Sequence, residues 1–304
     1  MMKQTLKRFI PQRMWSHLRS RMIVRSHSKA VRKILPHVAG HAAGGSFSAC
    51  GIRPTRPDLI GKDIIWQYWG QGFENVPEVV GICLGSIDKY AGDRMIIRLD
   101  DKSINEYLEI PARILAKRGG TFSVTAFSDL IRVALLVFYG GIWIDSTILL
   151  TGNLPDEFTS GELFFYKRDP KEAHIEYWKN TYAYYFGWEE KFRVNMLSSI
   201  ISSKAHNPFL EAALGSLCEI WETEDEYPYY FSFQIICDLL EKDFGFAGCR
   251  SILSDTTAHL LMQYINDPDF KIMSLPDIFK KTSVHKVTYK DIDVNRLKLA
   301  IAGQ

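Results

Sequence analysis

"SDLIRVALLVFYGGIWIDST" (residues 128–147) sets one acid and one base, Asp129 and Arg132, at the start of a long apolar run, and a second acid, Asp145, at its end. Leu130 to Phe138 is apolar on nearly every side, as a fully buried helix is, and Thr121 or Ser123 upstream can cap it. The spacing predicts a helix to about Tyr139, stopped by Gly140 and Gly141, after which "IWID" returns as a strand. A helix feeding the next parallel strand runs antiparallel to it, so its first turns lie beside that strand's carboxyl end. Asp129 and Arg132, three residues apart on one helical face, are thereby carried toward Asp145, at the sheet edge where open α/β folds bind ligands.

Burying such groups costs several kcal/mol unless they are paired. One reading is structural: Asp129 and Arg132 form an ion pair that locks the helix, and Asp145 caps a turn through Ser146 and Thr147. The other is chemical. A carboxylate at a strand end can hold a divalent cation, and the cation can neutralise a diphosphate leaving group.

Working outward, "DIIWQYW" (63–69) has the β-branched and aromatic content of a buried strand, "GQGFENVP" is a loop, and 77–90 carries helical periodicity. "RMIIRLD" (94–100) reads as a second strand, and "INEYLEIPARILAKRGG" as helical pieces ended by Gly119 and Gly120. Strands alternating with helices argue for an α/β fold with a mainly parallel sheet.

The 304 residues, 46% hydrophobic and 24% charged, have globular composition and suffice for one large domain with an appendage. No stretch approaches the roughly 20 apolar residues that span a bilayer. The five cysteines are spread widely with no zinc-site spacing, so they read as reduced thiols of a cytoplasmic chain, and no secretory signal is visible near the N-terminus. The net charge of +2 conceals an asymmetry: residues 1–57 hold 12 Lys and Arg and no acid, leaving 25 basic against 35 acidic residues in 58–304. The expected division is therefore a basic N-terminal helical arm and linker (1–57) and a catalytic domain (58–304). In the arm Met14, Trp15, Leu18 and Met22 fall at helical spacing beside Arg13, Arg19, Arg21 and Arg25, the pattern of a helix lying on an anionic membrane surface. A basic tail packed on the body is the alternative, and basic charge alone is also compatible with nucleic acid, which is not expected as a partner here. "HVAGHAAGGSFSACG" (37–51) reads as a linker.

"AFSDLIRVALLVFYGGIWIDSTILL" (126–150) resembles the core of glycosyltransferases with a DXD motif, most closely the bacterial capsular polysaccharide synthesis proteins, related to yeast-type α-mannosyltransferases and the glucosyltransferase domains of clostridial toxins. "IIWQYWGQGFENVPEVV" (64–80) is similar to that family's first strand and nucleotide-side loop, and "SVHKVTYK" (283–290) to its closing segment. The resemblance implies a GT-A-type nucleotide-sugar-binding fold in which Asp129 and Arg132 contact the donor sugar's hydroxyls, Ser128 lines the donor site and Asp145 is the first acid of the metal motif. Thr147 departs from the pattern, standing where the second acid usually lies, and a hydroxyl is a poorer cation ligand than a carboxylate. Thr147 and His285 are the candidates to complete the shell of an Mn²⁺ or Mg²⁺ ion. Trp66, Tyr68 and Trp69 can offer a stacking face to a nucleobase, or can simply be core.

The tyrosine-rich segments 174–190 and 226–233 suit sugar stacking and equally suit a core. His206 and His174 carry no assigned role, and no catalytic triad, P-loop or GxGxxG is present. The expectation is a retaining transferase that moves a sugar from a nucleoside-diphosphate donor, UDP-sugar favoured, to a glycan or lipid-linked glycan acceptor in capsule or surface polysaccharide synthesis, peripheral at the inner face of the plasma membrane. The alternative is a weakly active or inactive binding or assembly subunit, with Thr147 marking a decayed metal site.

Overall fold

The computed structural model describes residues 12–42, 49–249 and 253–303. A long helix, α1 (Gln12–Ala42), precedes β1 (Arg53–Pro54), β2 (Ile64–Tyr68), α2 (Glu78–Tyr90), β3 (Met95–Leu99), β4 (Leu108–Glu109), α3 (Ala112–Lys117), α4 (Val124–Tyr139) and β5 (Gly141–Ile144). Then come β6 (Ile148–Leu150), α5 (Glu157–Ser160), β7 (Leu163–Lys167), α6 (Ile175–Thr181), β8 (Met196–Ser203), α7 (Pro208–Thr223), α8 (Ser232–Lys242), α9 (Asp255–Asn266), α10 (Leu275–Lys281), β9 (Val284–Lys286) and α11 (Val294–Ile301).

The central sheet has the order β3-β2-β5-β8-β7. β2 pairs in parallel with β3 and β5, whereas β8 runs antiparallel to both β5 and β7. The sheet is thus mixed, which corrects the expectation of a mainly parallel one. The strand–helix alternation behind that expectation ends at Ile144. β8 escaped it because four of its eight residues are serine, so it shows no period-2 hydrophobic pattern although all eight are buried. The segment 195–214 is this strand followed by α7, whose first turn is capped by Asn207 accepting from Phe209 N at 3.1 Å.

α4 forms where the sequence places it. Ser123 Oγ accepts from Ala126 N at 3.1 Å, and thirteen of its sixteen residues are buried. Gly140 and Gly141 both have positive φ (74° and 93°), and a Cβ at Gly141 would lie 2.5 Å from the Ile64 carbonyl oxygen. Only glycine allows α4 to turn straight into a strand lying against β2. The parallel strands β2, β3 and β5 consequently end on one edge, at Trp69, Asp100 and Asp145. Ser146 Oγ donates to the Tyr68 carbonyl across that edge at 3.1 Å.

The basic arm is not free of the body. Ile23, His27, Ala30, Ile34 and Val38 are buried, and α1 packs on α7 and α8. His27 lies between Phe192 (4.3 Å) and Tyr229 (5.3 Å), and burial pulls its pKa down to about 4. His37 and His41 meet Glu219 and Glu224 on and just beyond α7. The helix continues to Ala42, so the first residues of the expected linker are helical; residues 43–48 of it lie outside the described residues. So do the side chains of Met14, Trp15 and Leu18, whereas Met22 is 57% exposed. All five cysteines are buried, with Cys50 beside Cys218.

Candidate functional site

α4 delivers Asp129 and Arg132 to the end of β5, and the arginine joins two carboxylates. Arg132 Nη1 donates to Asp129 Oδ1 at 2.6 Å and Nη2 to Asp145 Oδ1 at 3.0 Å. The Trp143 indole N–H donates to the same Asp145 oxygen at 2.7 Å, and the guanidinium lies 5.0 Å from the Trp143 ring centre. Backbone placement is equally firm, since Asp145 N donates to Ser199 O of β8 at 2.8 Å. Asp129 and Arg132 have almost no solvent access, while the Asp145 side chain keeps 21% of its surface open.

The two acids respond oppositely to this setting. For Asp129, burial dominates and pushes the carboxyl up to about 6; Arg132 opposes the rise and the negative charge of Asp145 adds to it. Burial would raise Asp145 as well, but the Arg132 guanidinium, the Lys286 ammonium and the Trp143 N–H together hold it below the usual carboxylate range. The open acid is therefore the one that stays ionised to lower pH.

β9 closes the site by pairing antiparallel with β6, Ile148 opposite Lys286 and Leu149 opposite His285. Neighbouring residues of a strand face opposite ways. Lys286 consequently donates to Thr147 Oγ1 and stands 3.5 Å from Asp145 Oδ2. His285 turns away: its Nε2 bonds Thr151 Oγ1 at 2.9 Å, its ring meets Phe279, and burial lowers its pKa to about 3. Sequence reasoning chose the metal-ligating residue type of the pair, and the pleat brings the other one to Asp145.

The three aromatic candidates separate in the same way. Trp66 is core, its indole N–H donating to Gly140 O at 2.9 Å and its ring packed on Tyr107 and Tyr139. The Tyr68 hydroxyl bonds Asp101 and receives Arg118 Nη2 at 3.1 Å, forming a polar cluster at the ends of β2 and β3 that was not foreseen. Trp69 alone is half-buried at the edge, 5.2 Å from the ring of Tyr289 in the closing segment. Ser128 is half-buried on α4, one residue before Asp129. Asp101 had the same signal as Asp145, an acid just past a strand, and could have been found by it. The two-residue period of their strand sets Lys286 and His285 on opposite faces, but only the pairing with β6 selects Lys286.

The oxygens at this edge do not fit a divalent cation. Asp145 Oδ1 already accepts two N–H donors, Oδ2 faces an ammonium, and Thr147 Oγ1 accepts from that ammonium. An added ion would stand beside two fixed positive groups with a single carboxylate to hold it, whereas Mg²⁺ and Mn²⁺ sites are built from carboxylate and other hard oxygens. Among the described residues no group of three or more His, Cys, Asp or Glu is arranged to hold a metal ion.

Residues 43–299 match the family described as capsular polysaccharide synthesis protein, and the chain belongs to that family. An O-glycosyltransferase of Phomopsis amygdali, PaGT, is 27% identical over 120 residues, 36% of this chain and 28% of that relative's length. Among solved structures, the PaToxG glycosyltransferase is 11% identical and has a TM-score of 0.32, covering 74% of this chain and 79% of that one. No helix among the described residues is long and apolar enough to cross a membrane.

Proposed function

We propose that this protein is a glycosyltransferase of the GT-A type that moves a sugar from a nucleoside-diphosphate donor, UDP-sugar favoured, to a glycan acceptor in capsule or surface polysaccharide synthesis, with retention of the anomeric configuration. The observation that carries the reading is one buried arginine holding two carboxylates at the carboxyl edge of parallel strands, with only Asp145 open to solvent. Family membership and the likeness to a glycosyltransferase support it.

In this reading Asp145, ionised, accepts hydroxyls of the donor. Arg132 fixes its orientation and Asp129 fixes Arg132, so that the sugar is presented in one pose, and such positioning is a large part of the barrier reduction in group transfer. Trp69 offers a ring face to the base, and the Asp101–Arg118–Tyr68 cluster gives polar contacts beside it. The test is to incubate the protein with UDP-, GDP- and dTDP-sugars and to read release of nucleoside diphosphate, with the anomeric configuration of the product read by NMR. Slow release of one nucleoside diphosphate is expected. Binding without any turnover would make the chain a binding or assembly subunit, and neither binding nor release would refute the donor site.

We propose further that α1 meets an anionic membrane. Arg21, Arg25, Lys29 and Arg32 lie along its exposed face, opposite the buried residues, and make no ion pair among the described residues. Each such residue near an anionic surface contributes about 1 kcal/mol. Co-sedimentation with phosphatidylglycerol vesicles should occur at low salt and fade toward about 1 M, where the Debye length is about 3 Å. Reversing the four charges should abolish it; binding that survives reversal would move the contact elsewhere.

A further inference from the structure

We propose that Lys286 takes the place of the divalent cation in this chain: its ammonium, rather than a metal ion, meets the diphosphate of the donor. The inference rests on the reading of the donor as a nucleoside-diphosphate sugar.

Three observations lead to it. The position of Lys286 is set by backbone pairing, because β9 is registered against β6 and Val287 N donates to Thr147 O at 3.0 Å. The residue thus belongs to the floor of the site, although its side chain remains 23% exposed and can reach a ligand. Next, the residue at 147 is matched to the ammonium. A hydroxyl accepts one N–H and leaves the charge intact, whereas a second acid there would neutralise it. The departure from the two-acid pattern and the presence of the lysine are two sides of one arrangement. Finally, Asp145 is shared between two cations, and Lys286 stands 3.5 Å from it. An ammonium carries three N–H groups; one is used by Thr147 and one is directed to Asp145, so one remains for a phosphate oxygen.

The chemical step then needs no ion. The bond from the sugar C1 to the β-phosphate oxygen breaks with its electron pair passing to that oxygen, where Lys286 offsets the added charge. The acceptor hydroxyl oxygen bonds C1, and its proton passes to solvent. Fixed cationic groups placed where charge develops stabilise such a transition state without reorganising.

The experiment is calorimetric titration of the full chain with UDP, GDP and dTDP, first in chelator and then in Mn²⁺. At least one of them should bind in chelator, with a Kd that Mn²⁺ changes by no more than about twofold. Lys286→Met should weaken that binding by about tenfold or more, as expected for a lost charge-assisted contact, and Lys286→Arg should restore most of it. Binding that tightens about tenfold or more only with Mn²⁺ would overturn the inference and leave the donor reading standing. So would unchanged binding by a folded Lys286→Met. Absence of nucleoside-diphosphate binding in both conditions would instead refute the donor reading, and the inference with it. The arm in chelator uses the unaltered protein, so it decides even if the methionine variant fails to fold.

Discussion

Two buried arginines of this chain hold aspartates, and they do so in different ways. Arg168 grips Asp255 with Nε at 2.9 Å and Nη2 at 2.8 Å, while Nη1 donates to Gly187 O at 2.9 Å and Nη2 also to Tyr185 O at 3.0 Å. The Tyr185 hydroxyl completes the carboxylate at 2.9 Å, and the guanidinium packs on the rings of Phe186 and Trp188. Every nitrogen is used and Asp255 has no solvent access. Arg132 is as buried, yet its Nε has no partner among the described residues, its fork is split between two acids, and one of those acids opens outward. Under the proposed donor site, the difference separates a structural ion pair from a working one. Burial and charge are common to both; closure of the hydrogen-bond network marks the first and an unfinished network on an open edge marks the second.

The comparison predicts opposite phenotypes. The largest effect belongs to Arg168→Leu, which leaves Asp255 buried without its cation. A loss of about 3–5 kcal/mol is expected, seen as a fall in Tm of about 5–8 °C, with turnover per folded molecule retained. If the variant melts like the wild type, the pair is not structural. Asp145→Asn should behave the other way round, with transfer reduced about a hundredfold, equivalent to about 2.7 kcal/mol, and little change in Tm. Near-normal turnover would remove Asp145 from the site.

A pH titration sharpens the contrast. Asp129 has its folded-state pKa raised from 3.8 to about 6, so between those values the folded chain keeps a proton that the unfolded chain has released. The stability this provides is fully present below about pH 4 and is lost as pH rises through about 6, a change on the order of 3 kcal/mol. Asp129→Asn should abolish that slope in denaturation experiments across this window; a slope that persists in the variant must come from another group. The smallest effect is Tyr185→Phe, which removes one donor from Asp255 while Arg168 remains. A cost of about 1–2 kcal/mol with unaltered transfer is expected, and lost transfer would tie the closed cluster to catalysis.

Much of the site was legible because its parts are local. The three-residue spacing of Asp129 and Arg132, the uniformly apolar helix and the two glycines lie within twenty residues, and each acts through helix geometry or steric limits that need no distant partner. Arg168 and Asp255 gave no such signal. They stand 87 residues apart in the chain, and nothing at either position announces the other. β8 was missed for a related reason: its serines are buried by packing between β5 and β7, and hydrophobic patterning does not register a strand made inside by its neighbours. Trp66 and Trp69 have like chemistry and stand three residues apart, yet one is core and the other rims the edge.

By itself the sequence determined that α4 is buried, that Gly140 and Gly141 turn it into β5, and that Asp129, Arg132 and Asp145 converge, since these follow from residue spacing and from conformations only glycine adopts. Tertiary structure alone decided that α1 is bound into the body, so that a chain starting at Asp58 would bare the faces of α7 and α8 that α1 covers rather than merely lose a membrane contact. It decided too that Lys286 and not His285 faces Asp145. The physical reason is register: a strand shows its period in sequence, but which of its two faces meets a given residue is set by the strand it pairs with, here β6, more than 130 residues earlier.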